Sequence, residues 1–253
     1  MPRFAVFVVL LSSVAVAIGS AGAAPPADVE WEQTFSDEFG GPGLDGNIWV
    51  SGRPSIAEEL GIQNQRVTLL SDGILHLVTR HHDMNPRVWT SASITPRHFR
   101  QTYGYAEVRL RFARATGLED LVLLTTDGGF RGGGAEIVLV EGRYPGGIGI
   151  KLKQPGLPFT TLSFFNTATD FSADYHVFGL SWLPDGRGST RLIWYLDGNP
   201  MLQADCPKCN QPMRLWIGTH VTTWAGPFAP VPAGASMDVD YVRVYQDKRL
   251  MGR

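Results

Sequence analysis

Apolar residues in this chain alternate with polar ones at a period of two through most of its length, with Gly, Pro, Asp and Asn between the runs. That is the pattern of many short strands and tight turns. Arg66 to Thr79 predicts a hairpin turning at Asp72-Gly73, with Ile74, His76 and Val78 on one face and Leu75 and Leu77 on the other. Val88–Ile94, Tyr103–Phe112, Gly146–Lys153, Thr160–Phe165, His176–Leu183, Thr190–Leu196, Met213–Ile217 and Met237–Tyr245 predict further strands. Trp31 to Trp49 reads as an edge strand plus loop. No long stretch has helical periodicity and no internal repeat appears, so the expected fold class is an all-β sandwich or closed sheet.

One run breaks the alternation. Ala135-Glu-Ile-Val-Leu-Val-Glu-Gly142 is apolar at four successive positions, as in a strand buried on both faces, yet carries a carboxylate at each end. Gly132, Gly133 and Gly134 precede it. Ionised Glu is costly to bury alone, so Glu136 and Glu141 need a reason to be there. Glycosidic hydrolysis supplies one: a carboxylate attacks the anomeric carbon while a protonated one feeds the leaving oxygen. Five residues is an odd spacing, and an ideal strand would send the two side chains to opposite faces. A β-bulge between them would restore a common face. The alternative is a core strand whose end residues reach solvent.

The run resembles the E-x-D-x-x-E signature of family 16 glycoside hydrolases, the laminarinase, lichenase and xyloglucan-transferase group. Six blocks carry the resemblance in order: Trp31-Glu-Gln-Thr-Phe-Ser-Asp-Glu-Phe39, Leu44-Asp-Gly-Asn-Ile-Trp49, Tyr103-Gly-Tyr-Ala-Glu-Val-Arg109, Tyr175 to Trp182, Trp194-Tyr-Leu-Asp-Gly198 and Asp240 to Tyr245. It implies a concanavalin A-like jelly roll of two curved antiparallel sheets, and an endo-β-glycanase that retains anomeric configuration. Glu136 would be its nucleophile and Glu141 its general acid/base. Two departures stand out. The family's middle Asp is Val138 here, and Leu123, within Gly117 to Thr126, stands where an aromatic, often Trp, is usual. A catalytically weakened carbohydrate-binding jelly roll is therefore the alternative reading. Transglycosylation is another, since Asn210 to Trp216 is similar to a segment of the xyloglucan-transferase branch.

Sugar faces stack on aromatic rings, so exposed Trp marks substrate. By resemblance, Trp224, Trp89 and Asn64 are candidate sugar contacts, and His220, in the same segment as Trp224, is a further substrate-binding candidate; Trp182, Trp194 and Trp216 sit in alternating strands and read as core. Glu107, Arg109 and Arg111 form one polar strand face that either lines a cleft or meets solvent and internal partners. His76 reads as an exposed or core-edge residue. The resemblance also implies a structural calcium with Asp240 and Glu38 among its ligands, against which stands an ordinary salt bridge for each. No cofactor for catalysis is expected.

The chain has 253 residues and a formal net charge of -2, which gives no ground for a nucleic acid or anionic membrane partner. Residues 1–23 read as an export signal, from Arg3 through an apolar core to Ala21-Gly-Ala23. Residues 24–30 would be a mobile lead-in, 31–247 the jelly-roll domain and 248–253 a tail. The expected protein is a secreted or periplasmic monomer, off the membrane once the signal is cleaved, whose partner is a polysaccharide. The only two cysteines, in Cys206-Pro-Lys-Cys209, allow a local disulfide, a redox dithiol or half a zinc site. The loop staple is expected, because zinc would need two more ligands and redox work a strand-to-helix setting.

Overall fold

A computed structural model describes residues 24–52, 61–63, 66, 68–81, 89–127, 134–154, 156, 160–227 and 235–251. Residues 1–23, expected to be an export signal, and Asn64 lie outside the described residues. The strands are β1 (Trp31–Asp37), β2 (Trp49–Ser51), β3 (Gly61–Gln63), β4 (Thr68–Ser71), β5 (Ile74–His81), β6 (Trp89–Ser91), β7 (Ser93–Pro96), β8 (Gly104–Arg111) and β9 (Leu118–Thr125). They continue with β10 (Glu136–Arg143), β11 (Gly147–Lys153), β12 (Thr160–Asn166), β13 (His176–Pro184), β14 (Thr190–Leu196), β15 (Asn199–Cys206), β16 (Arg214–Val221) and β17 (Ala235–Asp247). One sheet runs β15-β14-β13-β8-β17-β5-β6-β3, with β1 on β17 and β4 on β5; the other runs β12-β11-β10-β9-β16-β7-β2. Every pairing is antiparallel except β3 with β6. Among the described residues no helix is long and apolar enough to cross a membrane.

The predicted hairpin is β4–β5, where Ser71 pairs Ile74 around Asp72 and Gly73, both at positive φ. A Cβ is strained there, which suits Asp and Gly at that turn. Leu75 and Leu77 enter the core as the alternation requires. The strand expected at Val88–Ile94 is instead two. β6 pairs β5 in the first sheet and β7 pairs β16 in the second, so the chain changes sheets at buried Ala92. β15 was not anticipated, because Asn199-Pro-Met-Leu-Gln-Ala-Asp has polar residues on both faces of an edge strand.

One apolar core fills the space between the sheets, drawing Leu75, Leu77, Val108 and Leu110 from the first sheet and Val122, Ile137, Ile148 and Leu215 from the second. Trp182 and Trp194 lie within it, as their alternating strands imply. Cys206 and Cys209 form a disulfide, and both are buried in the same core. Ahead of β1, the Trp31 indole donates to the Pro26 carbonyl, and Lys248 N donates to Glu30, so both ends of the sandwich segment are tied down.

Candidate active site

The two glutamates come to one face because β10 carries an extra residue. Against β9, Glu136, Ile137 and Val138 pair with Thr125, Leu124 and Leu123; the register then skips Leu139 and resumes with Val140 on Val122 and Glu141 on Leu121. On the other side, Ile137 pairs Leu152 and Glu141 pairs Gly149, again one residue more on β10 than on its partner. Ile137, Leu139 and Val140 all enter the core, whereas Val138 packs with Leu121, Leu123 and Trp216 on the opposite, outer face. Two successive inward residues restore the phase, so Glu136, Val138 and Glu141 share that outer face. The Trp194 indole reaches across from β14 and donates to the Val138 carbonyl at 2.8 Å.

Both carboxyls are nearly closed off, Glu136 at 5% and Glu141 at 2% exposure. Burial raises both pKa values, because a charge loses solvation there. For Glu136 the nearby Lys153, its cross-strand partner on β11, opposes that rise. Glu141 is pushed up to about 7, by burial first and then by the Glu119 carboxylate, against the pull of Lys151. Lys151 Nζ stands 2.6 Å from Glu141 Oε2, while Oε1 is buried without a hydrogen-bond partner. Gly149 leaves room for that carboxyl, since a Cβ there would lie 3.0 Å from Oε1. Glu119 pairs across strands with His220, whose Nδ1 is 3.5 Å from its carboxylate, and the His220 ring packs on Trp216 at 5.0 Å.

An aromatic and cationic platform adjoins Glu141. Trp224 sits in a 3-10 turn, Thr223–Ala225, after β16, with its backbone N–H donating to the Thr222 hydroxyl. It is 38% exposed. The Arg143 guanidinium lies 3.9 Å over the Phe164 ring and 4.7 Å over Trp224, and donates to the Trp224 carbonyl at 3.2 Å. Lys151 Nζ is 4.4 Å from the centre of the same indole, so one ammonium touches both the ring and Glu141.

The other expected residues distribute as follows. His220 stands on the outer face beside Trp216 and Glu119. Trp216, expected in the core, packs instead with Val138, Leu121 and Leu123 on the outer face, because β16 turns Leu215 and Ile217 inward. Trp89 packs against Ala113, Ala115, Leu118 and Val221, the last two next in the chain to Glu119 and His220. Glu107, Arg109 and Arg111 belong to the first sheet and pair internally: Arg109 with Asp240, Arg111 with Asp238 at 2.7 Å, and Glu107 with Arg243 at 3.8 Å and Tyr105 at 3.2 Å. His76, on β5 between β17 and β4, joins that network 2.7 Å from Asp238.

Asp240 and Glu38 do not present a calcium cradle. Asp240 closes on Arg109, and both Glu38 oxygens accept from Arg243, at 2.7 and 2.8 Å. Carboxylates neutralised by guanidinium groups have little charge left to offer a hard cation. Among the described residues no three His, Cys, Asp or Glu side chains gather as a metal site.

Glu119, Arg143, Lys151 and Phe164 were not singled out from sequence. The alternation Gly147-Ile-Gly-Ile-Lys-Leu-Lys153 held the one available signal, because it puts Gly149, Lys151 and Lys153 on a single face.

No protein-family profile and no curated protein sequence matches this chain. Solved structures do. The laminarinase catalytic domain of Thermotoga petrophila RKU-1, an endo-1,3-β-glucanase, superposes with a TM-score of 0.76 at 22% identity, over 87% of this chain and 99% of that one. The endo-β-1,3-glucanase of Pyrococcus furiosus gives 0.77 at 22%, over 89% and 98%. A lichenase from a mouse hindgut metagenome gives 0.70 at 19%, over 84% and 98%. The shared feature is the fold, a jelly-roll β-sandwich of two antiparallel sheets that spans nearly the whole of each neighbour.

Proposed function

We propose that this protein is a secreted, retaining endo-β-glycanase of glycoside hydrolase family 16 that hydrolyses a β-glucan or related polysaccharide. The observation that carries the reading is the extra residue in β10, which turns Glu136 and Glu141 to one face within a glucanase-like fold. The export pattern of residues 1–23 supports secretion.

Glu136, with Lys153 favouring its ionised form, attacks the anomeric carbon as the glycosidic bond breaks. Glu141, held protonated up to about pH 7, gives its proton to the departing oxygen. In the second half Glu141 takes a proton from water, the resulting hydroxide attacks the same carbon, and the Glu136 ester is released. Lys151 favours the ionised form of Glu141 and so assists the second half more than the first.

A panel of laminarin, lichenan and xyloglucan with a reducing-end assay tests this directly. New ends with the parent protein, and their loss in Glu136→Gln, are expected; full cleavage by Glu136→Gln would refute the assignment.

The apolar floor favours a second reading. Val138, Leu121, Leu123 and Trp216 leave no third carboxylate between the glutamates, as in a jelly roll that binds glycans without cutting them. Glycan retardation in a gel with no new reducing ends would select it.

A further inference from the structure

We propose that the face bearing Glu136 and Glu141 takes a glycan carrying acidic substituents, carboxylate or sulfate, received by Arg143 and Lys151 beside Trp224. This rests on the reading of that face as the sugar site.

Arg143 carries the argument. Elsewhere in the molecule, half-buried guanidinium groups close on carboxylates: Arg109 on Asp240, Arg111 on Asp238, Arg243 on Glu38. Arg143 does not. Among the described residues it makes no ion pair, its Nε is buried without an acceptor, and its one hydrogen bond goes to a backbone carbonyl. A guanidinium lying over Phe164 and Trp224 is held by those rings but not neutralised by them. Leaving a buried donor unpaired is costly, and an anion arriving with the ligand would offset it.

Lys151 extends the same seat toward the reacting centre. Its ammonium touches the Trp224 ring on one side and Glu141 on the other, and Lys153 stands two residues on along the same face of β11. A neutral sugar stacked on Trp224 would meet these cations with hydroxyls alone. A sugar bearing a carboxylate or sulfate would bring Arg143 a bidentate partner and draw Lys151 from Glu141. That withdrawal removes the charge that opposes protonation of Glu141, so an acidic ligand would also ready the proton donor. The order of events couples recognition of the substituent to the first chemical step.

The test uses the full chain and pairs of glucans that share a backbone and differ only in substitution: laminarin, lichenan and a soluble cellulose ether of neutral type, each beside its carboxymethylated form. Cleavage is followed by reducing ends and binding by gel retardation, across a salt series. The expected result is a kcat/KM at least tenfold higher for a carboxymethylated chain than for its neutral partner at low salt. That ratio should shrink as ionic strength rises. Arg143→Gln should lower the ratio, chiefly through KM, and Arg143→Lys should restore part of it. Equal or faster cleavage of the neutral chain, with no salt dependence, overturns the acidic-glycan inference and leaves the hydrolase standing. Salt-sensitive retardation by the acidic chain alone, without new ends, does the reverse. Neither cleavage nor retardation of any acidic chain overturns the inference.

Discussion

The Trp194 indole nitrogen donates a 2.8 Å hydrogen bond to the carbonyl of Val138, across the gap between the two sheets. Val138 is the last residue in register before the extra one in β10, so this bond fixes the irregularity that aligns the two glutamates. Trp194→Phe keeps most of the ring and removes the donor. It takes this hydrogen bond from a buried carbonyl and should cost about 1–3 kcal/mol of stability. With the irregularity less constrained, kcat should fall more than KM rises. Thermal melts together with steady-state kinetics on the best substrate of the panel check both parts.

Lys151 is expected to set the upper edge of the pH profile of the proposed hydrolysis. Its ammonium lowers the pKa of Glu141, which burial and Glu119 otherwise raise. Lys151→Met removes that pull, so Glu141 should keep its proton to higher pH and the basic limb of kcat/KM should move upward from near 7. A limb that stays in place, or moves down, would show that another group controls it.

Gly149 gives a gentler perturbation of the same carboxyl. A methyl at this position would lie 3.0 Å from Glu141 Oε1, which must swing away by a few tenths of an ångström. Gly149→Ala should therefore change the melting temperature little, because the atom displaced is the end of a side chain. Activity should fall by roughly tenfold, since a misplaced catalytic group is costly even at short displacement. Circular dichroism melts beside rate measurements separate the two effects.

Three buried carboxyls set how stability responds to pH. Glu107, Asp120 and Glu141 are each raised to about 7, with burial the leading cause for all of them. Between their ordinary values near 4 and the folded value near 7, the native state binds more protons than the unfolded one. Stability should therefore fall as pH rises through that window. Asp127, Asp170, Asp185 and Asp197 are lowered and act in the opposite sense, losing their contribution only as pH falls below the ordinary range. The melting temperature should be highest at about pH 4–5 and lower at pH 8, a net 1 kcal/mol reading as about 2–4 °C. Calorimetry over pH 4–8 measures it, and a rising trend would contradict the assignment.

Much of this was visible in the chain because strands declare themselves by alternation. The β4–β5 hairpin and its turn, the inward Leu75 and Leu77, and buried Trp182 and Trp194 all follow from a period of two and from turn chemistry. The irregularity in β10 was legible in a different way. Neither propensity nor spacing indicated it; the chemistry of two carboxyls required it. What stayed hidden depends on register between strands distant in sequence. Glu119 matters because β9 sets it near Glu141, and Arg143 because Trp224 returns over it some eighty residues later, a sequence separation of 81. Trp216 was assigned to the wrong face because its neighbours could be counted but the direction of the sheet could not.

Val138 and Leu123 pair directly across β10 and β9 and pack together on the outer face. They form one aliphatic contact, so a change at either is felt at the other. Changing either alone sets a polar or oversized group against an aliphatic wall, so single substitutions there are poor probes of catalytic power. The paired exchange, Val138→Asp with Leu123→Trp, asks whether a third carboxylate can be held between Glu136 and Glu141, and its effect should depart from the sum of its halves.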